Sequence, residues 1–158
     1  MWQNTGGRRG RGFTLTEVVL VVAIMAILTS VAVPAYTDYV SRGKISEATG
    51  TLAATRIRME QYFQDNRTYA NSEDKCGITL PTGRYFTYSC AITASGQGYT
   101  LTATGGVTGG DASMKGFTYT VNQNDLRATT SVPTGPEGKS LGWSTRDSCW
   151  VLKKPGLC

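Results

Sequence analysis

The chain of 158 residues is predicted to be an α+β protein, in which one long amino-terminal helix packs on an antiparallel meander of about four β-strands. Two features of the sequence predict this fold class. Apolar residues of the first part form a continuous run and then recur at helical spacing, whereas from residue 85 onward they alternate with polar residues. Four cysteines, an even number, add two predicted disulfides, and the length is that of a single domain.

Residues 13–33 form the most apolar stretch of the chain. The run FTLTEVVLVVAIMAILTSVAV is 21 residues long, and Glu17 is its only charge. At a rise of about 1.5 Å per residue such a helix is about 32 Å long, which matches the hydrocarbon core of a bilayer. Basic residues precede it at Arg8, Arg9 and Arg11, and positive charge beside an apolar span tends to stay cytoplasmic. We therefore predict one membrane-spanning helix, with residues 34–158 facing outward.

Glu17 is costly in this position, because a carboxylate within a spanning segment is disfavoured by about 2.5 to 3.5 kcal/mol on insertion scales. A cut between Gly12 and Phe13 would supply a partner, since it creates an α-amino group one helical turn before Glu17. When several such helices pack in parallel with a stagger, the amine of one copy can neutralise Glu17 of the next while their apolar flanks bury each other. The segment is thus predicted to be both a membrane anchor and an assembly element.

The stretch RGFTLTEVVLVVAIMAIL resembles the amino-terminal signature of type IV prepilins. In that family a short basic leader ends in Gly and is followed by Phe and, as the fifth residue after the cut, by Glu. The resemblance implies a pilin fold. It also implies that a prepilin peptidase cleaves after Gly12 and N-methylates Phe13, and that Glu17 is needed for assembly. Thr16 departs from the family, which usually has an aliphatic residue at this position.

Two further stretches resemble PilE-type pilins and the related DNA-uptake minor pilins. They are residues 56–69 and, near the end of the chain, the consecutive pair Cys149 and Trp150. The resemblance implies a structural subunit of a type IV pilus, used for adhesion, twitching motility or DNA uptake. It implies a single-pass prepilin in the bacterial inner membrane that later becomes part of an extracellular pilus. The implied partners are the prepilin peptidase, the inner-membrane assembly platform and other pilin copies. Two alternatives stay open, a minor pilin acting as DNA-uptake receptor and a pseudopilin of a type II secretion system.

A secretory signal peptide is the competing interpretation of the amino terminus. The same stretch has a basic region, an apolar region and, at residues 30–32, a small-x-small site that would make Val33 the first mature residue. Glu17 inside the apolar region argues against this interpretation, and so does the Gly-Phe junction.

The predicted organisation is a leader at residues 1–12, a transmembrane and assembly half-helix at 13–40, and a globular head at 41–158. Pro34 is expected to kink or locally melt the helix, because it removes a backbone donor. Beyond it, apolar residues recur at spacings of three and four, which predicts one buried helix face ending near residue 65. The positions of this face are Ile45, Ala48, Leu52, Thr55, Met59, Tyr62 and Phe63.

Four segments in the second half alternate aromatic or aliphatic residues with Thr and Ser, which is typical of strands with one buried face. They are residues 85–93, 98–104, 116–121 and 126–132. Short turns follow the first and third of them and predict hairpins. Residues 66–84 contain turn formers without a period and are predicted to be a loop pinned by Cys76.

The four cysteines allow three disulfide connectivities. We favour Cys76 with Cys90 and Cys149 with Cys158, because each pair brackets a segment rich in turn formers. The chain has no histidine and no C-x-x-C motif, so the sequence predicts no metal site and no cofactor. The absence of histidine also removes the usual general base for a Ser or Cys nucleophile, so an enzyme is not expected.

The net charge of +5 depends on the leader, because removing its three arginines leaves 13 basic against 11 acidic residues. A DNA-binding surface must therefore be local. The candidates are Arg146, Lys153 and Lys154, with Lys139, Trp143 and Trp150 nearby in the sequence. Charge neutralisation and stacking on these residues would suit DNA. The alternative, which we favour, is that the lysines solvate an exposed loop and the tryptophans cover the small core.

Overall fold

The computed structural model describes residues 12–73, 75–106, 112–135 and 141–158, and within these ranges it contains one long helix followed by four strands. Helix α1 spans Leu15–Asn66, and the strands are β1 Phe86–Thr93, β2 Gly98–Gly105, β3 Thr118–Asn122 and β4 Arg127–Ser131. The sheet order is β1-β2-β3-β4, with every neighbouring pair antiparallel. The predicted α+β meander is confirmed.

Helix α1 begins with a side-chain cap. The backbone N–H of Glu17 donates to Thr14 Oγ1 at 3.3 Å, and the N–H of Val18 donates to the Thr14 carbonyl at the same distance. A threonine followed three residues later by glutamate is the pattern of a helix amino terminus, and Thr14 takes the capping position. Glu17 therefore lies in the first turn, where the helix dipole favours a carboxylate.

By length and composition, helix α1 is long and apolar enough to span a membrane. The helix continues through Pro34, so the expected local melting does not occur. Hydroxyl side chains bond to carbonyls around this point. Thr29 Oγ1 donates to the Met25 carbonyl at 2.7 Å, and Thr37 Oγ1 donates to the Pro34 carbonyl at 2.9 Å.

The chain divides after Asp38 into two units, and the second carries the hydrophobic core. Five positions of the predicted helix face are buried, and the last two are half-buried. The buried five are Ile45, Ala48, Leu52, Thr55 and Met59. The sheet contributes alternate residues of each strand to the same core: Phe86, Tyr88, Tyr99, Leu101, Ala103, Tyr119, Val121 and Thr129. The helical and the strand periodicities thus identify the two surfaces that form the core.

A carboxylate and two phenols join the helix to the loop and the sheet. Glu60 accepts hydrogen bonds from Tyr69 Oη at 2.9 Å and from Tyr99 Oη at 3.1 Å. Burial, and then the hydrogen bond to Glu60, raise the pKa of Tyr69 to about 12. Burial and the nearby Glu60 charge raise the pKa of Tyr99, and burial raises that of Tyr119. All three phenols therefore stay protonated when the head is folded at ordinary pH.

Two disulfides are present, as predicted. Cys76 is bonded to Cys90, which ties the loop after α1 to strand β1. Cys149 is bonded to Cys158, which closes the carboxy-terminal loop on itself. Both pairs are those favoured from the sequence. The loop after α1 is also held by the Tyr69 N–H, which donates to the Gly96 carbonyl at 2.8 Å.

Candidate functional site

The amino-terminal end of α1 presents a single carboxylate in an apolar surface. Phe13 is 80% exposed, and it forms a shallow groove together with Glu17, Val18, Val21 and Val22. Such a groove can accept an apolar side chain together with a cationic group. Because the acid follows the cap on Thr14, its place in the first turn is determined by the local sequence.

The apolar side chains that follow this groove are exposed through the first unit. They include Val19, Leu20, Ile24, Met25, Ile27, Leu28, Val31 and Val33. A contiguous apolar surface of this kind marks contact with a membrane or with another protein. With small residues such as Ala23 and Ala26 interspersed, the same surface allows close packing of parallel helices.

The carboxy-terminal residues bring Arg146 beside a turn that carries two lysines. This turn spans residues 153–157, and Lys153 and Leu157 pair across it as an isolated antiparallel bridge. Ser144 Oγ donates to the Pro155 carbonyl at 3.4 Å, and Gly156 packs so closely that any side chain there would collide with Ser144. Gly156 also lies next to the Arg146 side chain, and Lys154 Nζ lies 5.7 Å from the centroid of the Trp143 ring. We call Arg146, Lys153 and Lys154, the residues proposed from the sequence, the basic turn. Lys139 lies outside the described residues.

The two tryptophans do not form stacking platforms, so that part of the DNA hypothesis is wrong. Trp143 is 5% exposed and meets the Phe117 ring edge-on, with 5.0 Å between ring centroids. Trp150 is 8% exposed, and its Nε1 donates to the Thr120 carbonyl at 2.8 Å. Both tryptophans are buried because the core is small and their side chains supply the largest apolar area available to fill it. The favoured alternative, tryptophans that cover the core, is confirmed.

A second basic and aromatic cluster was missed from the sequence. Lys44 Nζ lies 5.1 Å from the centroid of the Tyr85 ring, and Arg84 Cζ lies 5.3 Å from it. Glu47 orders this corner, because its Oε1 accepts the backbone N–H of Arg84 at 2.9 Å. Lys44 and Arg84 are 40 positions apart, and no periodicity within either segment indicates that they meet.

Comparison with known families identifies the chain. A model of the prokaryotic N-terminal methylation motif matches residues 7–33, and the model described as type IV minor pilin ComP, DNA uptake sequence receptor, matches residues 34–118. The chain belongs to this family of type IV pilins. The pilin is thus a structural pilus subunit and not an enzyme, as predicted. Its apolar helix and its family indicate a membrane-anchored protein that becomes part of the pilus surface.

Relatives agree with this assignment. The pilin is 29% identical over 147 residues to the fimbrial protein EcpC of Eikenella corrodens, covering 92% of this chain and 96% of that protein. It is 34% identical over 71 residues to the type IV major pilin protein PilE1 of Neisseria gonorrhoeae, covering 45% of this chain and 43% of that protein. A crystal structure of the non-core minor pilin PilV of Neisseria meningitidis shares the fold, at 22% identity and a TM-score of 0.50, covering 65% of this chain and 99% of that one.

Proposed function

We propose that the chain is made as a prepilin of the bacterial inner membrane and is polymerised through its amino-terminal helix. A prepilin peptidase removes residues 1–12 by cleavage after Gly12 and N-methylates Phe13, and the inner-membrane assembly platform then adds the subunit to the filament. The observation that carries this proposal is the exposed apolar helix with one acid, Glu17, in its capped first turn. The match to the methylation motif over residues 7–33 supports it.

Electrostatics gives Glu17 its role in this proposal. A carboxylate is costly within hydrocarbon, and the new α-amino group of Phe13 is equally costly. In a staggered bundle the amine of one copy lies beside Glu17 of its neighbour, and each charge then has a partner. Both groups sit on the apolar surface that the helices bury against each other, so lipid contact is lost as the ion pair forms. Neutralisation and apolar burial therefore favour the same arrangement.

Sequencing the amino terminus of the protein in sheared surface filaments tests the processing step. We expect the mature chain to begin with N-methylated Phe13, and we expect the protein to be abundant enough in the filament fraction to be detected there. A mature chain beginning at Val33 would contradict the proposal in favour of general signal peptidase. So would a chain in the filaments that still carries Arg8, Arg9 and Arg11.

We propose, as a second role, that this pilin is the minor subunit that binds DNA during uptake. The description of the matched family favours this role, and the basic turn supplies a surface of suitable charge. Because Trp143 and Trp150 are buried, neither ring is available for a base to stack on. Binding at the basic turn would therefore act through the phosphates and depend strongly on salt.

Lys153→Ala combined with Lys154→Ala is expected to weaken DNA binding by the full chain in detergent. Loss of two phosphate contacts should reduce the magnitude of the slope of log K against log salt by about 1.8, at about 0.9 per contact. The measurement is a gel shift with a short DNA duplex of mixed sequence at several salt concentrations.

The matched control for this experiment is Arg58→Ala combined with Lys75→Ala, which removes two exposed cations elsewhere and should change the affinity little. Equal affinity of the lysine variant and the wild type would contradict the basic turn as the site. If Arg84→Ala weakens DNA binding instead, the DNA surface lies at the cluster of Lys44, Arg84 and Tyr85. No binding by the wild type at low salt would end the proposed DNA role.

A further inference from the structure

We infer that Thr129 is the positioning residue that holds the basic turn in place on the sheet. Hydrogen bonds show how Thr129 holds this segment, whereas its importance for DNA binding rests on the DNA role proposed above. Thr129 lies in the middle of β4 and is 1% exposed. Its backbone and its side chain both bond to the carboxy-terminal segment, in which Arg146, Lys153 and Lys154 reside.

The backbone of Thr129 fixes Arg146. The Thr129 N–H donates to the Arg146 carbonyl at 2.6 Å, and the Arg146 N–H donates to the Thr129 carbonyl at 3.0 Å. This reciprocal pair places Arg146 at the outer edge of β4, opposite strand β3. The guanidinium-bearing residue is therefore positioned by a sheet-like contact and not by a free loop.

The hydroxyl of Thr129 fixes the segment that leads into the lysines. Its Oγ1 accepts the N–H of Val151 at 2.8 Å and donates to the Cys149 carbonyl at 3.2 Å. Val151 is fully buried, and its carbonyl accepts Tyr119 Oη at 3.1 Å. Residues 149–151 are thus bonded to both β3 and β4, directly before the turn that carries Lys153 and Lys154.

The disulfide cannot replace this contact. Cys149 and Cys158 belong to the same loop, so their bond closes the loop without attaching it to the sheet. Attachment comes from Thr129, with support from Tyr119 and from Trp150, whose Nε1 bonds to the Thr120 carbonyl. Because one residue bonds to the chain on both sides of Cys149, it sets where Arg146 lies relative to the two lysines. A ligand that contacts all three cations then finds them in one arrangement, and less ordering is needed upon binding.

Thr129→Val removes the hydroxyl and keeps the shape of the side chain, whereas Thr129→Ser keeps the hydroxyl. For the full chain in detergent, we expect Thr129→Val to weaken binding of a short DNA duplex about tenfold and to lower the salt slope, because the buried Val151 N–H and the part-buried Cys149 carbonyl lose their partner. Thr129→Ser should restore both values. Amide hydrogen exchange at Arg146 and Val151 should be faster in Thr129→Val and close to wild type in Thr129→Ser.

Two controls separate positioning from general stability. Thr130→Val changes the exposed neighbouring threonine and should bind DNA as the wild type does. Leu52→Ala destabilises the head from the helix side and should keep the DNA affinity at a temperature at which it is folded. Wild-type affinity in Thr129→Val, or no recovery in Thr129→Ser, would overturn the inference. If the wild type binds no DNA, the proposed DNA role fails, and unchanged exchange at Arg146 and Val151 would separately overturn the positioning role.

Discussion

Glu17→Val is expected to leave the chain inserted in the membrane and to abolish or cripple filament formation. Insertion should persist, or improve, because the substitution removes the only charge from the spanning segment and makes the segment more apolar. Assembly should fail because the amino group of Phe13 in a neighbouring copy then lacks its partner. The expected loss is that of most surface filaments, with an unchanged amount of the chain in the membrane fraction.

The measurement compares sheared filaments with membranes from cells that produce each variant. Glu73→Gln is the matched control, because it removes an exposed acid of the head whose carboxylate bonds to Lys75, two residues away, at 2.7 Å. It should assemble normally. Normal filaments from Glu17→Val would refute the pairing, even if processing at Gly12 and Phe13 were shown to occur.

The head is expected to lose stability as the pH rises from about 10 to 12. An unfolded tyrosine has a pKa of about 10, whereas burial and Glu60 raise that of folded Tyr69 to about 12. The pKa values of Tyr99 and Tyr119 are raised in the same direction by burial. A group with a raised folded pKa contributes its full stabilisation below the unfolded pKa and loses it as the pH rises through the folded pKa. Three such phenols should make alkaline unfolding steep.

Urea unfolding of the full chain in detergent, followed by circular dichroism from pH 8 to pH 12, measures this effect. Tyr99→Phe should lower stability at pH 8, because Glu60 loses a donor, and should flatten the decline above pH 10. Tyr39→Phe is the control, since Tyr39 is exposed and should leave the pH profile unchanged. A stability that stays constant up to pH 12 would show that folding does not raise the pKa values of these phenols.

The sequence predicts the fold well because each element buries one face. Ile45, Leu52 and Met59 recur at the helical period and are buried, and Tyr99 and Leu101 recur at the strand period and are buried as well. In both elements the apolar residue type and the spacing predict the same buried face. The strand boundaries follow for the same reason, since the turns contain the residues that cannot continue the alternation.

The geometry of the candidate site was less predictable, because it depends on contacts between distant segments. Thr129 is one of many threonines in the strands, and only the folded chain shows that its hydroxyl meets Val151. The burial of Trp143 depends on its contact with Phe117, which is also distant in the sequence. By contrast, Thr14 could have been identified as the helix cap, since its spacing to Glu17 is a known local pattern.

The backbone pairing of Thr129 with Arg146 also covers part of the outer edge of the sheet. Strand β4 is last in the sheet order, and an uncovered outermost strand offers unpaired N–H and C=O groups that can recruit a strand from another molecule. Pilus subunits are held side by side at very high local concentration, the condition under which such recruitment is fastest. By pairing with Thr129 at the centre of that strand, the carboxy-terminal segment leaves less of this edge open to a strand from a neighbouring head.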